Sequence, residues 1–157
     1  MTTITKTPVK ATWSPSKVQE EAARMAASHL LAAYQVIAKQ GEPALKEYQA
    51  AARQFKVAYL KGLGVQNALD LAKASAELET NLYGSQIEIA GDEKSATLTY
   101  SACAMWNAIK KLSNMTPQEE EKMGSSFQTC MQDLASEFGL NAKVQFEGQS
   151  CAVTFSK

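Results

Sequence analysis

Gln86-Ile87-Glu88-Ile89, Gly91-Asp92-Glu93-Lys94 and Ala96-Thr97-Leu98-Thr99-Tyr100 mark the point where the hydrophobic period of the chain drops from about 3.6 residues to 2. Polar and apolar side chains alternate in the two outer runs, so each has one dry and one wet face, and the polar, glycine-bearing link between them has hairpin composition. Two antiparallel strands are expected. Beyond them, Ala104 to Ser113 reads as a short helix with Met105, Trp106, Ile109 and Leu112 on one side and Lys110 and Lys111 on the other.

Thr116-Pro117-Gln118-Glu119 then starts a long helix. The threonine is a cap, proline takes the first helical position, and a glutamate three residues on can reach back to the cap's own amide at the positive helix end. Met123, Phe127, Cys130, Leu134 and Phe138 form its inward stripe, and Gly139 ends it. Lys143-Val144-Gln145-Phe146 and Ala152-Val153-Thr154-Phe155 close the chain as a second hairpin, turned by Glu147-Gly148-Gln149-Ser150.

Upstream of Gln86 the pattern is helical. Ser14-Pro15 is a start signal, with a hydroxyl to accept an orphan amide and a proline preset for the first turn. Val18, Ala22, Met25, His29, Ala33 and Val36 then recur by fours and threes up to Gly41 and read as the dry face of a first helix. Glu42-Pro43 opens a second, with the stripe Leu45, Tyr48, Ala52, Phe55, Tyr59 and Leu63. A third runs from about Val65 to Tyr83, with Ala68, Leu71, Ser75, Leu78 and Leu82 inward and Gly84 as its stop. Loops this short predict antiparallel neighbours. The expected fold class is α+β: an N-terminal three-helix layer packed on a C-terminal ββααββ unit with a four-stranded antiparallel sheet. Residues 1–13 read as a disordered tail and 14–157 as a single domain.

Length and charge narrow the function. A chain of 157 residues buries roughly 70% of the surface its unfolded form exposes, enough for one core. Sixteen basic and sixteen acidic side chains cancel, so no net field draws the protein to nucleic acid or to an anionic membrane. No run approaches the ~20 apolar residues of a membrane span, and Met1 to Thr12 lacks the apolar stretch of a signal peptide. A cytoplasmic address is expected, with neither nucleic acid nor membrane as partner.

Chemical motifs are few. No glycine-rich phosphate loop, paired zinc-type cysteines or Gly-x-Ser-x-Gly elbow is present. His29 is the only histidine, either a core residue hydrogen-bonded to a neighbour or a base or haem ligand facing a pocket. Cys130 reads as a small apolar filler of its helix. Cys103 stands where a strand hands over to a helix, where first-turn amides stabilise a thiolate, and is the candidate nucleophile. Cys103, Cys130 and Cys151 would need the fold to converge them, and a fourth ligand such as Glu147, to hold a metal. No metal or cofactor is assigned.

Aromatic side chains at helical spacing read as core or as the wall of a cavity between helices and sheet. Ala22, Ala26, Ala32 and Ala33 leave room for such a cavity. Its lining would be His29, Tyr48, Phe55, Tyr59, Trp106, Phe127 and Cys130, and its occupant a small apolar or aromatic ligand.

Cys103, Cys130 with Asp133, Phe138-Gly139-Leu140-Asn141, Val144 and Gly148-Gln149-Ser150-Cys151-Ala152-Val153-Thr154-Phe155 carry a resemblance over the C-terminal half. In that order they resemble the four-vinyl-reductase-type ligand-binding domains and are similar to the aminothiazoline-carboxylate hydrolase family. The resemblance implies an α+β fold with a pocket for hydrophobic small molecules, and in some members a zinc held by cysteines near the closing hairpin. Phe146 stands near a position where that pattern has a cysteine. Two functions are thus expected in turn: a small-molecule-binding module, with a homodimer formed through the N-terminal helices, or a small cysteine-dependent hydrolase using Cys103.

Overall fold

A computed structural model describes residues 10–147 and 150–157. The elements in chain order are α1 (Pro15–Ala38), α2 (Glu42–Gly62), α3 (Ala68–Tyr83), β1 (Gln86–Gly91), β2 (Ser95–Ala102), α4 (Ala104–Leu112), α5 (Pro117–Ser136), β3 (Asn141–Glu147) and β4 (Ser150–Ser156). The protein is α+β, with the first three helices preceding an antiparallel sheet of four strands in the order β1-β2-β4-β3. Of the tail expected over 1–13, residues 1–9 lie outside the described residues, as do Gly148 and Gln149 of the closing turn. Lys10–Trp13 belong to no helix or strand.

Local signals place the helix starts. Ser14 accepts from the Lys17 amide at 3.2 Å, and Thr116 and Glu119 complete the reciprocal capping box. The third helix starts three residues later than the expected Val65. Asn67 takes the cap, accepting from the Asp70 amide at 2.9 Å, while Asp70 accepts from the Gln66 amide at 3.3 Å. An asparagine side chain that satisfies an orphan amide outcompetes continuation of the helix backwards.

β2 and β4 are the central strands, and each hairpin contributes one of them. Cross-strand registers stack the inward side chains in rows: Ile89, Leu98, Val153 and Val144 in one, and Gly91, Ala96, Phe155 and Ala142 in the next. The opposite face is polar, and there the Thr97 and Thr154 hydroxyls lie 2.9 Å apart. α3 covers β1, β2 and β4, while α5 covers β3. Phe155, Leu60, Leu71, Leu98, Leu134 and Val153 are the largest fully buried side chains, and they fill the space between helices and sheet.

The helical layer differs from expectation. α1 packs on α4, α3 and α2, and of the first three helices it is α3 that carries the packing against the sheet. The stripe Val18, Met25 and Val36 with His29 points outward, and α1 buries Ala23 and Ala27 instead. On α2, Leu45 is buried, but Phe55 and Tyr59 are exposed, as is Leu63 just past its end, while Val57 and Leu60 point in. Alanine-lined faces let helix axes approach closely, so packing within this layer uses the small residues and leaves the larger apolar stripes outside.

A side chain of α1 also finishes α3. The Gln19 Nε2 group donates to the Thr80 and Asn81 carbonyl oxygens, each at 3.2 Å, where the helix ends at Gly84 with φ of 74°. The Thr80 carbonyl also accepts from the Gly84 amide at 3.0 Å, whereas the Asn81 carbonyl, orphaned by the helix end, takes its donor from across the fold. Among the described residues, no helix is long and apolar enough to cross a membrane.

Candidate functional site

The residues expected to line one cavity are dispersed. His29 is exposed on α1, and Cys130 is exposed on α5 rather than inward. Phe55 is 80% and Tyr59 49% exposed on the outer side of α2, where Tyr48 is half-buried. Trp106 is half-buried on α4 with the Lys110 ammonium 5.8 Å from its ring centre. Phe127, half-buried on α5, lies 6.4 Å from Phe146, and with Cys103 and Cys151 it packs against the core. Cys130 was misassigned because Met131, one position on, takes the buried place beside Leu134 and Ala135.

Cys103 and Cys151 share the end of the sheet reached by the last turns of α3. Cys151 is the register partner of both Tyr100 and Phe146. Cys103 caps α4, its Sγ accepting from the Trp106 amide at 3.4 Å, and the next amide, of Ala104, donates to the Ser85 hydroxyl at 3.0 Å. Burial pushes the Cys103 thiol above its ordinary pKa more than the helix-start amides pull it down, and it lifts Cys151 to about 11. Both sulfurs are therefore protonated at neutral pH. Tyr100, largely buried in the same place, is likewise raised by loss of water.

Glu79, which sequence reasoning passed over, also sits at this end of the sheet. Its Oε2 is buried and has no hydrogen-bond partner. Loss of water raises its carboxyl above the usual range, against the opposing pull of Lys56 on α2 and of the Ser85 hydroxyl. Tyr83, Tyr100 and Cys103 are the other ionisable neighbours that feel its charge. The legible signal was its phase: Glu79 follows buried Ala72, Ser75 and Ala76 by helical steps.

A stability consequence follows. A carboxyl whose folded pKa exceeds its unfolded value near 4.5 favours the folded state when protonated, so its contribution is complete below that pH and is lost as pH rises through the folded value. Glu79→Gln removes the ionisation. The variant's melting temperature is expected to match wild type at pH 4 and to exceed it increasingly toward pH 8, as calorimetry across that range would record.

The open hollows lie on the other side of α3. One of about 450 Å³ lies between the end of α2 and the outer face of α3, walled by Tyr59, Leu63, Ala74, Leu78 and Leu82, with Glu77 and Asn81 as polar groups. Through Leu63, Ala74 and Glu77 it runs on into a second hollow of about 270 Å³, reaching Gly64, Val65, Asp70 and Lys73. Tyr59 is the one residue here that the sequence had marked for a ligand. Leu78 and Leu82 had been assigned to the core face, but α3 turns Leu71, Ala72, Ser75 and Ala76 toward the sheet, which leaves that pair beside α2. Among the described residues, no three His, Cys, Asp or Glu side chains gather in a way that holds a metal ion. Neither protein-family models nor curated proteins match this chain.

Proposed function

We propose that the protein is a binding module for a small apolar or aromatic molecule, seated in the groove between α2 and α3. The observation that carries this reading is the groove itself. It is concave, it lies within the few hundred Å³ of small-ligand sites, and its aromatic and aliphatic walls hold a small number of polar groups. Tyr59 offers a ring face, Leu78 and Leu82 offer apolar wall, and Asn81 and Glu77 offer hydrogen bonds that would orient a polar end of the ligand. The resemblance of the C-terminal half to ligand-binding domains agrees with the class of function, although the proposed seat is on the helical side.

A cysteine-dependent hydrolase is the alternative reading, through Cys103. The raised pKa of its thiol weighs against it, since a nucleophilic cysteine requires the opposite shift.

Thermal melting against a panel of aromatic acids, fatty acids and haem tests the binding reading. A true ligand at about 100 times its Kd stabilises the fold by ~2.7 kcal/mol, and Leu82→Asp, which puts a carboxylate in the wall, is expected to abolish that shift while the protein stays folded. A panel without any shift, or a shift indifferent to Leu82→Asp, would overturn the assignment to this groove.

A further inference from the structure

α2 turns outward a face that carries no charge. Ala51, Ala52, Phe55, Ala58, Tyr59 and Gly62 are all exposed, and half-buried Tyr48 extends the same face toward the start of the helix. A solvent-facing helix surface ordinarily carries lysine and glutamate, and an uncharged one with an aromatic standing clear of the surface marks a contact face. We infer that a second copy of this chain docks on this face, with the two α2 helices antiparallel and the two-fold axis passing beside Phe55.

Size places the axis. A two-fold rotation about Phe55 sets Tyr59 against the partner's Ala51, Ala52 against the partner's Ala58, and Tyr48 against the partner's Gly62. At the two ends of the contact, a large side chain meets a small one, which is the self-complementarity that an isologous interface requires. A Cβ added at Gly62 would meet nothing within 4 Å, so the space opposite the tyrosine is open. A parallel pairing would instead set Tyr59 against Tyr59 and leave the alanines facing one another across a gap.

Charge agrees with the antiparallel direction. Glu47 and Lys61 lie on the same flank of α2, and the rotation about Phe55 brings each within about one helical turn of its opposite on the partner. The Lys61 ammonium is exposed and rests 5.9 Å from the Phe138 ring centre of its own chain. The shape of the surface also argues for a protein of this form rather than a small molecule. Phe55 stands beside the axis next to the partner's Phe55, and the small side chains of Ala51, Ala52 and Ala58 around it leave room for the two rings.

Area sets the strength. Exposed portions of Phe55, Tyr59, Tyr48 and Leu63 with the alanines amount to roughly 500 Å² per protomer, on the scale of ~150–250 Å² for a whole aromatic side chain. That falls below the ~800 Å² per partner of a standard stable interface, so a dimer dissociating in the micromolar range is expected. Tyr59 and Leu63 belong both to this contact and to the groove wall, so the dimer and a bound ligand share those side chains.

Sedimentation velocity on the full chain, from low micromolar to several hundred micromolar, decides the matter. Wild type is expected to pass from monomer to dimer within that range. Phe55→Glu and Ala58→Glu, each placing an unpaired carboxylate in the contact at an exposed site, are expected to weaken dimerisation by more than about tenfold with melting temperature and circular dichroism unchanged. Val36→Glu, on the exposed outer stripe of α1, is expected to dimerise as wild type does. A wild type that stays monomeric throughout, or a dimer that survives both α2 variants, overturns the proposal.

Discussion

Phe155→Ala is expected to destabilise the protein by about 3–5 kcal/mol, the range for emptying a fully buried aromatic site. Phe155 is 0% exposed, and it stands on β4 between Ala96 of β2 and Ala142 of β3, in a cross-strand row one residue from the end of the sheet. Both neighbours in that row are alanines, so the ring supplies nearly all the volume there. They cannot reach into the space it leaves. Collapse of α3 or α5 onto the sheet would have to drag the rest of the core, Leu71, Leu98 and Leu134, with it. Urea unfolding would show the loss as a lower midpoint with an unchanged slope. Phe155→Leu, which keeps most of the apolar volume, is expected to cost clearly less, and equal costs for the two would show that the ring's volume is not what the core depends on.

Gly91→Ala is the second large effect, and it arises from backbone rather than volume. Gly91 ends β1 with φ of 127°, a conformation that residues with a side chain rarely adopt. A Cβ there would run into the Ser95 carbonyl oxygen and the Ala96 Cα, both backbone atoms of the paired strand. Strain at such an angle alone costs about 1–3 kcal/mol, and the collision adds to it because a strand backbone cannot move aside without breaking the register. The Asp92 amide, which donates to the Ser95 oxygen at 2.8 Å, would be displaced with it. Gly62→Ala is the natural comparison. With open space around its position and no positive φ, it is expected to stabilise the isolated chain by about 0.5–1 kcal/mol, so that two identical substitutions shift the denaturation midpoint in opposite directions.

How far the sequence could be read differs between the two halves of the chain. In the sheet half, period-2 alternation fixes which side of each strand is dry, and the polar link Gly91–Lys94 leaves one way for β1 and β2 to pair. Leu98, Val144, Val153 and Phe155 accordingly stand where their alternation puts them, on the inward face, while Ile89 on the edge strand is 37% exposed. The capping box at Thr116 was legible for a similar reason, since its two hydrogen bonds close within four residues. In the helical half, periodicity named apolar stripes on α1 and α2 but could not say whether the chain or something outside it covers them. His29, Phe55 and Tyr59 were read as pocket or core residues and lie on the surface. Cys130 was lost by a single helical position, a rotation of about 100° that stripe counting does not resolve on a helix with apolar residues at both 130 and 131.

The candidate sites show the same division. Cys103 at the start of α4 was visible as a strand-to-helix junction, because that is a local property. Its protonated state was not, because it depends on burial by the core and on Glu79, more than twenty residues earlier. The α2–α3 groove was invisible, since Tyr59 and Leu82 meet only once two helices are set side by side.

By itself the sequence determined the order of helices and strands, the caps at Ser14 and Thr116, and the dry side of β2, β3 and β4, because each of these is decided by interactions within a few residues. Tertiary structure alone decided which faces of α1 and α2 go inward, where the hollows lie and which ionisable groups lose their water. Those outcomes depend on how closely two surfaces far apart in the chain can approach, and alanines at Ala23 and Ala27 permit an approach that larger apolar side chains prevent.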